Sequence, residues 1–313
     1  MTKPIVVVGS INLDLVVTAE RIPMPGETIA GESFKTYFGG KGANQAVAIG
    51  KLGYPVKMLG KVGTDSFGAQ LRDAISEAGV DASAVETASG SSGVAVISTT
   101  HRGENCITVV PGANGEITSQ DLDHYRGLIE GAGMVLTQLE IPMPVTEHLA
   151  EMTSRARVPL MLDPAPARAL SDRLLASVDW ITPNETETRM LLDLDGSDWG
   201  PDAATRAAEA LLDRGSRNIV LKMGERGAFL AESNGNRILI PAYAVKAVDS
   251  TAAGDAFNGG FAVGLMLGKS PEESARFASA VAAISVTRHG AQPSMPSAAE
   301  VERFIEAQTL MRS

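Results

Sequence analysis

The chain has 313 residues, 44% apolar and 20% charged, which is enough to bury a large core and incompatible with extended disorder. Its 27 Lys and Arg against 37 Asp and Glu leave a formal charge of −10, which opposes general binding to DNA, RNA or anionic membranes. Aromatics at 4% offer no base-stacking platform, the single cysteine (Cys106) excludes an intramolecular disulfide, and no apolar run reaches the ~18 residues of a membrane span.

From the N-terminus, Ile5–Val8 reads as a strand that stops at Gly9-Ser10, too short for a signal sequence. Residues 27–37 and 93–110 alternate polar with Thr, Val and Ile, as half-exposed antiparallel strands do. Helical periodicity covers 42–52, 66–78, 119–130, 145–155 and 203–214. Between and after these helices lie short apolar runs at 135–139, 159–162, 180–182 and 219–222, each ending in polar or turn residues. Such runs suit strands buried on both faces of a parallel sheet. The alternation predicts a doubly wound, Rossmann-like α/β fold, with a mostly parallel sheet flanked by helices. We expect one domain over 1–313, with strands 27–37 and 93–110 forming a small β-sheet lid. An exposed lid edge predicts a homodimer, and the cysteine usage a reducing, cytoplasmic setting.

In an open α/β sheet the ligand sits beyond the carboxyl ends of the strands. Asp163, Asn184 and the run Lys222, Met223, Gly224 fall at such ends. The four histidines (His101, His124, His148 and His289) are scattered without metal spacing and read as surface or loop residues.

The densest glycine signal is Gly39-Gly40-Lys41-Gly42-Ala43-Asn44-Gln45, opening a helix. It lacks the spacing of a Walker loop, and Gln45 holds the third glycine position of GxGxxG. Alone it is equally well a Gly-rich strand-to-helix turn. The run Gly264 to Ser270 is one residue short of a Walker loop and lies at a helix end. A sharper signal is Asp249-Ser250-Thr251-Ala252-Ala253-Gly254-Asp255, leading into the apolar helix 256–267. Free amides at a helix N-terminus, here Ala252 to Gly254, suit a phosphoryl group, and Asp255 beside them can accept a proton from a hydroxyl. The dipole and those amides are expected to favour its ionised form. An Asp N-cap on a buried helix is the structural alternative.

With these two motifs, the chain resembles the ribokinase-like family of carbohydrate kinases, which also contains adenosine kinases and fructokinases. Gly9-Ser10-Ile11-Asn12-Leu13-Asp14, Asp163-Pro164-Ala165-Pro166, Pro183-Asn184-Glu185-Thr186-Glu187 and Gly290-Ala291-Gln292-Pro293-Ser294 match in the same order, from about residue 4 to about residue 305. The resemblance implies ATP-dependent phosphorylation of a pentose, foremost D-ribose at its 5-hydroxyl, with Asp255 as general base and an anion hole at Ala252, Ala253 and Gly254. A related acceptor (deoxyribose, a nucleoside or a ketose) and a non-catalytic sugar-binding protein are the alternatives. Asn12, Asp14, Gly40, Lys41, Asn44 and Glu140 are similar to the family's sugar ligands. Asn184 and Glu187 resemble its Asn-x-x-Glu motif for nucleotide phosphates and hydrated Mg²⁺; an Asn capping box is the structural alternative. Lys222, Gly224, Glu225, Arg226 and Gly227 resemble its nucleotide loop. Asp249, Thr251, Ser285, Arg288, Gly290 and Ser294 align with its K⁺ loops, mostly through backbone carbonyls. Two positions depart from the pattern: Ser279, where histidine lies near the adenine, and Asp163, where asparagine is common, so no role is assigned to either.

Overall fold

The computed structural model describes residues 2–102, 104–194 and 201–310. Among the described residues, thirteen strands form two sheets. They are β1 (Ile5–Val8), β2 (Asn12–Thr18), β3 (Ser33–Gly39), β4 (Val56–Val62), β5 (Asp81–Thr87), β6 (Gly93–Thr99), β7 (Asn105–Val110), β8 (Met134–Thr137), β9 (Leu160–Leu162), β10 (Trp180–Ile181), β11 (Asn218–Lys222), β12 (Ala228–Glu232) and β13 (Arg237–Ile240). The main sheet has nine strands in the order β13-β12-β11-β10-β9-β8-β1-β4-β5 and is parallel except at the β11-β12-β13 edge.

Side chains alternate across β1, and its burial follows that period of two. Ile5 and Val7 pack with helices Lys41–Lys51, Ala253–Met266 and Pro271–Ser285. Val6 and Val8 join the opposite core layer with helices Met143–Ala156 and Pro201–Asp213. All four are fully buried, which explains the unbroken apolar run. The strand order grows outward on both sides of β1, towards β4 and towards β8. The crevice at their carboxyl ends is therefore the topological switch point.

The second sheet, β3-β2-β6-β7, differs from expectation in three ways. Strand β2 belongs to it, and β2 runs parallel to β6 because both leave the carboxyl side of main-sheet strands. Residues 27–32 form no strand: the Glu27 carboxylate accepts from the Met24 amide at 3.0 Å and pairs with Arg21, closing a turn. Pairing starts only where Ser33 meets Thr18. Residues 93–110 make two strands around a turn, of which residue 103 lies outside the described residues.

Helix boundaries shift as well. The expected helix 119–130 divides at Tyr125 into Ser119–His124 and Arg126–Glu130, the first started by a Thr118–Asp121 capping box. The helix expected at 256 starts at Ala253, so Asp255 lies inside its first turn and is not its cap.

Candidate active site

At the switch point the carboxyl ends of β1, β8, β9, β10 and β11 face the N-termini of helices Lys41–Lys51 and Ala253–Met266. The second of these is capped by Ala252 in the left-handed conformation, φ 58° and ψ 15°. The Ala253 amide donates to the Ser250 carbonyl at 3.2 Å, so of the expected anion-hole amides this one is engaged in the turn. Gly254 and Asp255 follow it in the first helical turn, whose amides have no intrahelical acceptor. A Cβ on Gly254 would lie 3.3 Å from Lys222 Nζ, which places an ammonium beside those amides. Positive charge from both sources converges at one point.

Asp255 is only 5% exposed. Its Oδ2 accepts from Asn44 Nδ2 and its Oδ1 from Gln45 Nε2, each at 3.1 Å. Burial pushes its carboxyl up to about 6, with Lys41 opposing, Asp163 adding to the rise, and the Asn44 and Gln45 bonds opposing it. The expected preference for the ionised form is corrected in size: desolvation outweighs the helix terminus. A carboxyl near 6 is still mostly ionised at neutral pH, and it is a stronger proton acceptor than a solvated aspartate.

The sugar-ligand candidates surround this group. Asn12, buried at the start of β2, accepts at its Oδ1 from Asn114 Nδ2 at 2.7 Å. Asn114 also bonds the amide and carbonyl of Ile11, at 2.8 and 3.2 Å. Asp14 packs on Gly39 of β3, where a Cβ would come 2.3 Å from Asp14 Oδ2. Burial first, and then repulsion from Glu140 and Asp255, raise the Asp14 carboxyl to about 7. Burial would depress the Lys41 ammonium, but Asp255, Asp163, Glu140 and Glu187 together hold it above its ordinary range. The backbone fixes these positions. Glu140 Oε2 accepts from Ser10 Oγ at 2.5 Å and from the Lys41 amide at 3.1 Å. Gly40 has φ 87°, and a Cβ there would lie 2.7 Å from the Asn12 amide, so only glycine fits the turn.

On the side of β10 and β11, Asn184 caps helix Glu185–Leu192 through a complete capping box. Its side chain accepts from the Glu187 amide at 2.8 Å, and Glu187 accepts from the Asn184 amide at 2.7 Å and from its Nδ2 at 2.9 Å. The structural alternative for this pair is therefore realised. Burial raises the Glu187 carboxyl against the pull of Lys222. Lys222 donates to Asp163 Oδ1 at 3.0 Å. Gly224 (φ 56°) and Gly227 (φ 95°) bound the 3-10 turn Gly224–Arg226. Glu225 and Arg226 are exposed on that turn, Arg226 paired with Glu185, and neither is tied to the Asp255 cluster among the described residues.

Asp249 staples two loops: its Oδ1 accepts from the Thr251 amide and its Oδ2 from the Gly290 amide, both at 2.9 Å. Those bonds hold its carboxyl below the usual range despite burial. The Arg288 side chain pairs with Glu300 at 2.6 Å, which leaves only its backbone facing the loop, and its amide donates to Ser285. Ser294 Oγ donates to the Ala291 carbonyl at 2.7 Å. Ser279 is buried within helix Pro271–Ser285.

Four residues of this site were not identified as such from sequence. Gln45 and Gln138 are buried in the floor, Asn114 holds Asn12, and Asp163 lies 2% exposed between Gln45 and Lys222. Asp163 had a usable signal in its strand-end position, and Gln45 in its place within the glycine motif. Gln138 and Asn114 had none.

Comparison with known proteins bears on the family of the chain and on its overall fold. Residues 2–298 match the model of the pfkB family carbohydrate kinases. A ribokinase of Haemophilus influenzae is 39% identical over 98% of this chain and 99% of its own, and a deoxyribokinase of Salmonella typhi is 36% identical over 96% and 97%. The structure of Arabidopsis thaliana ribokinase complexed with ribose and ATP superposes with a TM-score of 0.90, at 35% identity over 98% of this chain and 99% of that one. With the family model covering nearly the whole length, and the two motifs that face each other across Asp255 inside it, the chain belongs to the pfkB family of carbohydrate kinases.

Proposed function

We propose that this kinase transfers the γ-phosphoryl group of ATP to the 5-hydroxyl of D-ribose. The observation that carries the reading is Asp255: a buried carboxylate, held by Asn44 and Gln45, in a helix turn whose free amides adjoin the Lys222 ammonium. Asp255 takes the proton of the 5-hydroxyl as that oxygen bonds to phosphorus. The bond from phosphorus to the β–γ bridging oxygen breaks, and ADP leaves with the electron pair. The Gly254 and Asp255 amides and Lys222 offset the charge that builds on the phosphoryl oxygens, so positioning and electrostatics do most of the catalysis.

Asn12, Asp14, Lys41, Asn44 and Glu140 supply mixed donors and acceptors, which suits vicinal hydroxyls. Glu187 fits a water-mediated hold on Mg²⁺, because each of its oxygens accepts one bond from Asn184 and keeps further lone pairs. When bound, Mg²⁺ would neutralise phosphate charge. The loops stapled by Asp249 carry oxygen donors that suit K⁺, which would stiffen the turn bearing the amides. The whole chain would act as one domain, with the β3-β2-β6-β7 sheet as a lid that excludes water. Its exposed Phe34, Val96, Ile107 and Val109 suit a second copy of the chain, hence a homodimer. Among the described residues no helix is long and apolar enough to cross a membrane, and a reducing, ATP-rich cytoplasm suits the reaction.

Deoxyribose is the second reading, because the deoxyribokinase relative is nearly as similar as the ribokinases. ATP consumption measured with ribose, deoxyribose, fructose and adenosine tests the assignment. Ribose is expected to give the highest kcat/KM; a preference for another acceptor would move the substrate and leave the kinase.

A further inference from the structure

The floor beneath Asp255 is a chain of buried amides and carboxylates with a defined direction. Gln138 Nε2 donates to Gln45 Oε1 at 2.7 Å. Gln45 Nε2 donates at 3.1 Å to Asp255 Oδ1 and at 3.1 Å to Asp163 Oδ2. Asp163 Oδ1 receives the Lys222 ammonium. Gln45 and Gln138 are essentially without exposure, so water does not compete for these bonds.

The orientation of the Gln45 amide follows from its partners. Its two N–H groups meet two carboxylates, and its oxygen meets a donor. Turning the amide over would set its oxygen against two anions and its nitrogen against the Gln138 nitrogen. Gln138 Oε1 lies against Gly9, where a Cβ would come 2.1 Å from it, and among the described residues it accepts no bond, so the tie of Gln138 to the floor is its donation to Gln45. The chain thus runs from Gln138, just past the end of β8, through Gln45 of helix Lys41–Lys51, to the carboxylate in helix Ala253–Met266.

We infer that Gln45 is the positioning residue of the base: its carboxamide nitrogen, bonded at its oxygen by Gln138, sits between Asp255 and Asp163, fixes Asp255 Oδ1 and bridges two neighbouring buried carboxylates. This rests on Asp255 acting as the base. Asn44 holds the other oxygen of Asp255 but among the described residues bonds no second carboxylate, so it cannot replace this function. Without the bridge, Asp255 loses a donor and faces Asp163 and Asp14 with the Lys41 ammonium and the Asn44 amide left to offset them, so its own proton is held more tightly.

The test is kcat against pH, from about pH 5 to about pH 9, for the parent, Gln45→Met, Gln138→Met and Asp255→Asn, with thermal melts of each. Met keeps the volume of Gln45 and removes its donors. The acid limb of Gln45→Met is expected to move up by about one pH unit, roughly a tenfold loss of kcat on that limb. Gln138→Met keeps the bridge but frees its orientation, and is expected to move the limb the same way by less. A folded Gln45→Met with an unmoved limb overturns the inference, even if KM changes. Should Gln45→Met fail to fold, an unmoved limb in Gln138→Met overturns it. If Asp255→Asn retains kcat near the parent, it is the base assignment that fails.

Discussion

The floor of the site and the lid sheet above it are built by opposite rules. The floor joins Asp255, Asp163, Gln45, Gln138 and Lys222, all fully or largely buried, through side-chain bonds between residues far apart in sequence. The lid shares only part of its surface with the core, and every residue of β7 is exposed. Its strands are held by backbone pairing with neighbours, which tolerates side-chain change. Chemistry that needs fixed distances is placed where low dielectric strengthens each bond. The closing over substrate proposed for the small sheet would fall to the part whose loss of contact costs least.

The sharpest way to break this contrast is Asp255→Asn. The amide can still hydrogen-bond the sugar but is a very poor proton acceptor, and kcat is expected to fall by about 10²–10⁴-fold with the melt little changed. A folded variant within a factor of a few of the parent would remove the base. Acid titration sharpens the same point. Because the Asp255 carboxyl is raised to about 6, its proton-accepting form is lost as pH falls through that value. The expected profile is flat near neutrality and falls about tenfold per unit below pH 6; a limb near pH 4 would contradict the burial argument.

Next in size is the pair of loops stapled by Asp249. Replacing K⁺ with a bulky organic cation at constant ionic strength is expected to lower the rate severalfold, and an unchanged rate removes the cation from the reaction. The lid should respond least in stability. Ile107→Ser on exposed β7 is expected to change melting by only about 0.5 kcal/mol while weakening self-association measured by ultracentrifugation. A large stability loss would mean the lid is core.

The same contrast explains what was legible in the sequence. Ile5–Val8 reads correctly because both its faces are buried and the pattern is local. The glycine and Asp255 motifs stand out because tight turns demand particular residue types at fixed spacing. The lid was harder: β2 follows β1 after only a short turn, and its polar Asn12 and Asp14 mask a strand whose partner β6 lies far along the chain. Gln138 and Asn114 were invisible for a stronger reason. A buried amide acquires meaning only from its partner, and those partners, Gln45 and Asn12, are 93 and 102 residues away. Asp163 sat in a suggestive place, but it takes a role only through its contacts with Gln45 and Lys222.

Ala252 carries a consequence for engineering. A methyl-bearing residue in the left-handed region costs about 1–2 kcal/mol relative to an ordinary conformation. Glycine would relieve that cost, partly offset by the greater freedom of its unfolded chain. Ala252→Gly is thus a substitution for which heat tolerance and turnover should part company, because the alanine restricts the turn that aims the first helical amides. Screening this chain for thermal resilience alone would select at residue 252 against its own catalytic speed.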